Sequence, residues 1–359
     1  MKAAVCRKFK KPLIIEDIRL AAPGASDIKV KIAACGICHS DIHFIEGAWG
    51  GTLPAVYGHE GAGIVQEVGR NVRHVKPGDH VVVTLVRYCG TCHACAAGEQ
   101  VLCESTFALT GKTPLSSRKG APITHGLGTG AFAEYVVVDG SQAVAIPKDV
   151  PFASASLIGC AVITGMGAVI NTAGVSAGSS VVVIGTGGVG LNSIQGAALA
   201  GASPIIAVDL VKSKLRAAKR FGATHTVDAA SGDVAKTVKR ITGGRGADYV
   251  FVTVGAKPAI EQAFGLMRRG GNVVLVGMPA LDVRATFDPV YLANDGQRII
   301  GSKMGSSRIQ IDVPKIVELY KQGRVKLDEL ITKRYPLEEI NKAISAVARG
   351  EALRNVIVF

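Results

Sequence analysis

The chain has 359 residues, 48% hydrophobic and only 19% charged, with 44 glycines against 14 prolines. At roughly 100–200 residues per domain, this predicts two domains with cores of their own and excludes a disordered tail, a small disulfide knot or a collagen-like repeat. The formal charge of +13 raises polyanion binding as a class, but lysines and arginines occur in runs no longer than a pair and without interleaved aromatics, the pattern of solvated faces.

The opening MKAAVCRKFKKPLIIEDI breaks its apolar stretches with charge. No run of about 18 apolar residues is read anywhere, so the expectation is a soluble, cytoplasmic protein with neither a membrane nor a nucleic acid as partner. Residues 1–150 carry short β-branched runs between turn signals: Ile28 to Ile32, Gly63 to Val68, His80 to Thr84 and Glu134 to Val138. Frequent glycines favour a closed or strongly bent antiparallel sheet there. Residues 87–130 read as a strandless lobe with clustered cysteines, a length that calls for a metal or a function.

Residues 151–303 repeat apolar strand, glycine turn and amphipathic helix. Expected strands are Ser180 to Ile184, Ile205 to Asp209, His225 to Val227, Tyr249 to Val254, Asn272 to Val276 and Arg298 to Gly301. Helices are expected at Leu191 to Ala200, Ser213 to Phe221, Val234 to Ile241 and Pro258 to Met267. That alternation predicts an α/β domain with a doubly wound parallel sheet. Residues 304–359 read as helix, extended segment, helix and strand, and are expected to return to the first domain, leaving a cleft between the two.

Cys89, Cys92, Cys95 and Cys103 form C-x2-C-x2-C-x7-C. Four thiolates converging from one loop suit a closed tetrahedral zinc site with a structural role. An iron–sulfur cluster is the rival, but its bacterial run has three residues before the last cysteine and a proline after it, whereas here there are seven and then Glu104. Cys38 in GICHSD, His59 and Glu60 in GHEGAG, and Cys160 in LIGCAV are more dispersed. Singly, each reads more readily as a core residue than as a ligand. Together, two thiolates and one imidazole would leave a fourth position open on a catalytic zinc, and Asp41 would accept the second imidazole proton of His59. Cys6 and Cys35 receive no role.

The apolar strand SVVVI runs into Gly185-Thr-Gly187-Gly188-Val189-Gly190 and then a helix. In that context the first glycine serves the tight turn, the second a pyrophosphate's approach and the third close helix–strand packing, with the helix N-terminus facing the phosphates. Asp209, nineteen residues past Gly190, would accept ribose hydroxyls and repel a 2′-phosphate, which favours NAD over NADP. Lys214 is either a ribose contact or a solvated helix lysine. Val254 and Val276, at the ends of later strands, join the coenzyme set.

With these residues in hand, the whole chain resembles the zinc-dependent medium-chain alcohol dehydrogenases. GHEGAGIVQEVG, the four-cysteine lobe, and VIGTGGVG followed by VDLVKSK recur in that family in this order. The resemblance implies a GroES-like, mostly β catalytic domain and a Rossmann coenzyme domain with the active site between them. It implies reversible hydride transfer between an alcohol and NAD, and two zinc ions per subunit: a catalytic one on Cys38, His59 and Cys160 with Glu60 beside it, and a structural one on the four lobe cysteines.

By the same resemblance, Ser40 and His43 form a proton relay from the alcohol, and His39 and Arg354 neutralise the coenzyme pyrophosphate. Ser40 could instead cap a helix, and His43 could be a surface residue. Trp49, Leu85, Phe132, Met278 and Met304 would line an apolar substrate channel, although any of them also reads as core. The segment RKGAPITHGLGTGAFAEY is closer to class I and class III members than to the yeast type, which makes a thiol-adduct formaldehyde dehydrogenase the nearest alternative. Lys303 stands where a small or apolar residue is expected, leaving an anionic substrate open. A homodimer or homotetramer is implied. The rival from another class is a zinc-stabilised basic protein that binds nucleic acid.

Overall fold

The structure, a computed structural model, describes residues 1–359. It divides into two compact units, residues 1–160 with 308–359, and residues 161–307. The sequence pattern places these divisions after residues 150 and 303. The first falls later because the helix beginning at Phe152 packs its opening turns on strands Asp27–Gly36 and Glu60–Val68 of the first unit.

In the first unit, short valine- and isoleucine-rich runs form two sheets. Lys2–Cys6, Ile14–Leu20, Leu115–Ser117, Pro122–His125 and Ala55–Val56 close a small barrel. Two of these strands come from the lobe and correct the expectation that 87–130 is strandless. Each has only three or four residues, and they meet at a turn in which Gly120 takes a left-handed φ of 86°, so no alternation long enough to register precedes the bend.

The second sheet runs Ala143–Ile146, His80–Val83, Glu60–Val68, Asp27–Gly36, Arg354–Val358, Ile331–Pro336, with Tyr135–Asp139 also paired to Asp27–Gly36. Its inward residues, among them Ile28, Ile32 and Val83, share one core with Ile123 and Phe132. At about 25 cal/mol per Å² of apolar surface removed from water, such burial is the main term holding the unit together.

The second unit contains a six-stranded, wholly parallel sheet in the order His225–Asp228, Ile205–Asp209, Val181–Ile184, Ala247–Val252, Met267–Leu275, Arg298–Gly301. The order reverses beside Val181–Ile184, the topological switch point where open α/β sheets bind ligands. One helix is shorter than expected: Lys257–Phe264 closes at Gly265, and the next strand begins at Met267, where a helix was anticipated.

Phe152–Thr172 is uncharged and long and apolar enough by length and composition to cross a bilayer, although serines, threonines and glycines keep it short of a continuous apolar run, and 89% of its apolar window is buried within the protein. Its glycines set its neighbours. A side chain at Gly165 would strike the Val189 carbonyl and stand 2.7 Å from Asn192 Cβ, so the helix rests directly on Gly188–Leu199.

Candidate active site and metal centres

The strand Asp27–Gly36 delivers Cys38 to the N-cap of the helix His39–Ile45, with Asp41 at its third position. Asp41 Oδ2 accepts from the Cys38 backbone N–H at 3.2 Å, closing a capping box. The helix start is therefore capped by Cys38 and Asp41, which sets aside the capping role considered for Ser40. The other Asp41 oxygen accepts from Gly58 N at 3.0 Å and lies 2.8 Å from His59 Nδ1. Both side chains are fully buried.

Nε2 of His59 has no hydrogen-bond partner. It is thus the free donor atom of a set in which Cys38, His59, Glu60 and Cys160 each offer a ligand atom within 4.8 Å of the others, all from buried residues. The Cys38 thiol is held well below its ordinary range, first by the hydrogen bond from Cys160 and then, against its burial, by His59. A buried imidazole nitrogen without a partner costs about 1–3 kcal/mol. Two thiols and that nitrogen, gathered within reach of one ion, fit a zinc centre with a fourth position free.

Glu60 is completely buried, and its carboxyl is pushed up to about 7 by that burial, against the pull of Arg354. Arg354 Nη2 donates to Glu60 Oε2, while Oε1 of Glu60 and Nε of Arg354 have no partner. The family resemblance assigns Arg354 to the coenzyme pyrophosphate. In the structure it is 4% exposed and its guanidinium is turned onto Glu60. Nothing local to ALRNVIVF signals this pair, because it depends on the last strand lying beside Asp27–Gly36.

In the lobe, the thiols of Cys89, Cys92, Cys95 and Cys103 also lie within 4.8 Å of one another. The Cys89–Cys95 and Cys92–Cys103 sulfurs are 4.0 and 3.9 Å apart. Those separations are far beyond a disulfide and close to the roughly 3.8 Å of a tetrahedron with zinc–sulfur bonds near 2.3 Å. The Cys89 thiol is pushed down to about 5, first by Ser105 and then by the N–H groups of Thr91 and Cys92. By contrast, Cys6 and Cys35 are buried thiols pushed up by their burial, the behaviour of core residues.

Ser40 and His43 lie three residues apart on His39–Ile45, both half-buried, with His39 exposed at the helix start. His43 stacks on Trp49 at 4.8 Å, Trp49 meets Phe44 edge-on at 5.4 Å, and Phe44 stacks on Tyr57 at 5.7 Å. Trp49 is therefore engaged with His43 rather than standing alone as a pocket wall. Leu85 is half-buried, whereas Phe132 is fully enclosed against Gly58 in the core of the first unit. In the second unit, Met304 is half-buried, Met278 is 62% exposed and Lys303 is exposed.

The glycine turn has a different economy of space. Gly185 takes a left-handed φ of 89°, and a side chain at Gly190 would strike the Gly185 carbonyl, whereas one at Gly187 would meet nothing within 4 Å. The open side at Gly187 and the N-terminus of Gly188–Leu199 fit a pyrophosphate. Asp209 Oδ2 accepts from Thr186 N at 2.7 Å and Thr186 Oγ1 at 2.9 Å, and Oδ1 accepts from Val211 N at 2.9 Å. The strand end is thereby fixed, and Oδ1 retains a lone pair for a ribose hydroxyl. Lys214 is half-buried one helical turn beyond, Val254 flanks Gly185, and Val276 is buried.

Two family profiles match the chain: one described as zinc-binding dehydrogenase, over residues 188–322, and one described as alcohol dehydrogenase GroES-like domain, over residues 24–148. The chain is 39% identical to the class-3 alcohol dehydrogenase of Cereibacter sphaeroides, with 100% of this chain and 99% of that protein covered. It superposes on an alcohol dehydrogenase zinc-binding domain protein from Burkholderia ambifaria with a TM-score of 0.95 and 37% identity, covering 100% of this chain and 98% of that one. The benzyl alcohol dehydrogenase of Acinetobacter calcoaceticus gives a TM-score of 0.92 and 33% identity, with coverages of 100% and 99%.

Proposed function

The chain belongs to the zinc-binding alcohol dehydrogenase family, and from that premise we propose that Cys38, His59 and Cys160 hold its catalytic zinc, with Ser40 and His43 moving the substrate proton. The reaction is NAD-linked hydride transfer between an alcohol and an aldehyde or ketone. When bound, zinc supplies Lewis acidity to the substrate oxygen and NAD exchanges the hydride.

The chain's own residues supply orientation and proton handling. Asp41 holds Nδ1 of His59, fixing the ring so that Nε2 is the atom presented to the metal. Ser40 Oγ takes the hydroxyl proton of the alcohol, and His43, on the same helix face, is the base beyond it. Trp49 keeps that imidazole from turning. Gly185, Gly187 and Gly190 accommodate the pyrophosphate, and Asp209 receives the ribose. The lobe cysteines hold the second, structural zinc. The buried, unpartnered Nε2 of His59 among two thiols carries this reading.

The substrate reading is a small apolar or aromatic alcohol, supported by the aromatic run His43, Trp49, Phe44, Tyr57 and by similarity to a benzyl alcohol dehydrogenase. The class-3 relative favours a second reading, a thiol-adduct formaldehyde dehydrogenase. NADH formation across primary, secondary, aromatic and anionic alcohols, and from formaldehyde with and without thiols, separates them. Turnover of benzyl-type alcohols is expected; turnover of thiol adducts alone selects the second reading. Silence throughout, in protein holding two zincs, overturns both.

We further infer a homo-oligomer formed through the second unit. Its edge strand Arg298–Gly301 has one unpaired side, and Leu281, Val290 and Tyr291 are 68%, 70% and 63% exposed. The reduced thiols of both centres suit the cytoplasm.

A further inference from the structure

Strand Asp27–Gly36 lies between the strand that opens with Glu60 and the strand that opens with Arg354. Gly36 pairs with Glu60 on one side and with Val356 on the other. Strands two apart in a sheet are separated by roughly 9.5 Å. Glu60 and Arg354 nevertheless form an ion pair, so their side chains must meet above the strand between them.

They meet over Gly36. A side chain there would collide with Glu60 Oε2, the oxygen to which Arg354 donates, and would stand 3.2 Å from Glu60 Cβ and 3.0 Å from Leu157 Cδ2. Gly36 is not among the residues with left-handed φ. Its backbone would therefore accept alanine, and only the space forbids one. On the other side of Glu60, a side chain at Gly159 would lie 3.3 Å from Glu60 Cα and 2.8 Å from the Val83 carbonyl, so the helix carrying Cys160 closes directly onto the residue.

We propose that Gly36 is a positioning residue for Glu60: its bare Cα is the saddle across which Arg354 reaches the carboxylate and ties it back beside the Cys38–His59–Cys160 set. This rests on the reading of that set as the catalytic metal site. A methyl group in the saddle separates Glu60 from Arg354 and releases a carboxylate that already lies within ligand range of the other three.

The test replaces zinc by cobalt(II) in the holoenzyme and reads its visible spectrum, with the lobe tetrathiolate as a constant reference. Gly36→Ala is expected to shift the bands of the Cys38–His59–Cys160 centre and to lower kcat by about 10–100-fold, the range for losing a residue that orients a metal site. Adding Glu60→Ala should return the spectrum and thermal midpoint to those of Glu60→Ala alone, because the two changes act through one contact. If the two effects add instead, Gly36 acts through Leu157 and the proposal falls. If Gly36→Ala does not fold, recovery of folding in the double variant supports the proposal. Failure of the double variant where Glu60→Ala folds overturns it. A cobalt spectrum untouched by Cys38→Ser would instead remove the ligand reading itself.

Discussion

The four-cysteine lobe and the Cys38–His59–Cys160 set lie in the same unit yet are built by different means. The lobe gathers its sulfurs from a single short stretch, three of them half-exposed, and steadies them with backbone N–H groups from the same loop. The dispersed set takes one residue from a strand-to-helix junction, one from a strand start and one from a helix, all buried, and steadies them with Asp41, Glu60 and Arg354. A site that only has to hold its ion can be local. One that must keep a coordination position open needs rigid walls from several elements, so that no ligand of its own can close it.

The largest test of this contrast is to remove one ligand from each centre. Cys38→Ser or His59→Ala should take turnover to background while metal analysis still finds the lobe zinc and circular dichroism an unchanged fold; retained turnover would break the contrast. Cys92→Ser should do the reverse, lowering the thermal midpoint by several degrees, since structural zinc contributes folding energy directly. Here the Cys38 centre should keep its metal.

His125 sharpens the comparison on the acid side. It sits in the lobe's hairpin, buried, and its pKa is lowered to about 4 by burial and by Arg87, against the pull of the Thr129 backbone. A histidine kept neutral in the fold adds nothing to the pH dependence above about 6.5. Below that the unfolded chain binds a proton the native state refuses, so stability falls by roughly 3 kcal/mol as pH drops from 6.5 to 4. His125→Gln should flatten that part of the stability curve, and an unchanged curve would assign acid lability to the metal centres alone. The smallest effect is expected for Asp41→Asn. It keeps the shape but weakens the hold on His59, for a loss of about 10–100-fold in metal affinity or kcat; a chelator-competition assay showing parent affinity would deny Asp41 that role.

How much was legible follows from the same contrast. The lobe spacing and the Gly185–Gly190 turn announce themselves because all their parts are neighbours in the chain. The parallel sheet was readable from its valine and isoleucine runs, which are buried on both faces. Cys38, His59 and Cys160 were each ambiguous alone and could be grouped only by donor type, with family likeness supporting the grouping, since no periodicity links three separate elements. The Arg354–Glu60 pair and the saddle at Gly36 were out of reach, because both depend on which strands become neighbours. The hairpin Leu115–His125 was missed for its brevity. Phe152–Thr172 escaped notice because serines, threonines and glycines interrupt its apolar count although no charge does.

The split composition of the first unit has a consequence for how the protein is made. Residues 308–359 complete a sheet begun by residues 27–36, and the whole second unit is inserted between them. During synthesis, residues 27–31 can pair early with Tyr135–Asp139, but residues 34–36 must wait with one side unpaired while nearly all the remaining chain emerges. Arg354 reaches Glu60 only when Arg354–Val358 docks. The enzyme thus acquires its complete metal environment as one of the last events of its biogenesis, and a nascent chain stalled in the second unit would carry the thiols of the active site without the cation that balances them.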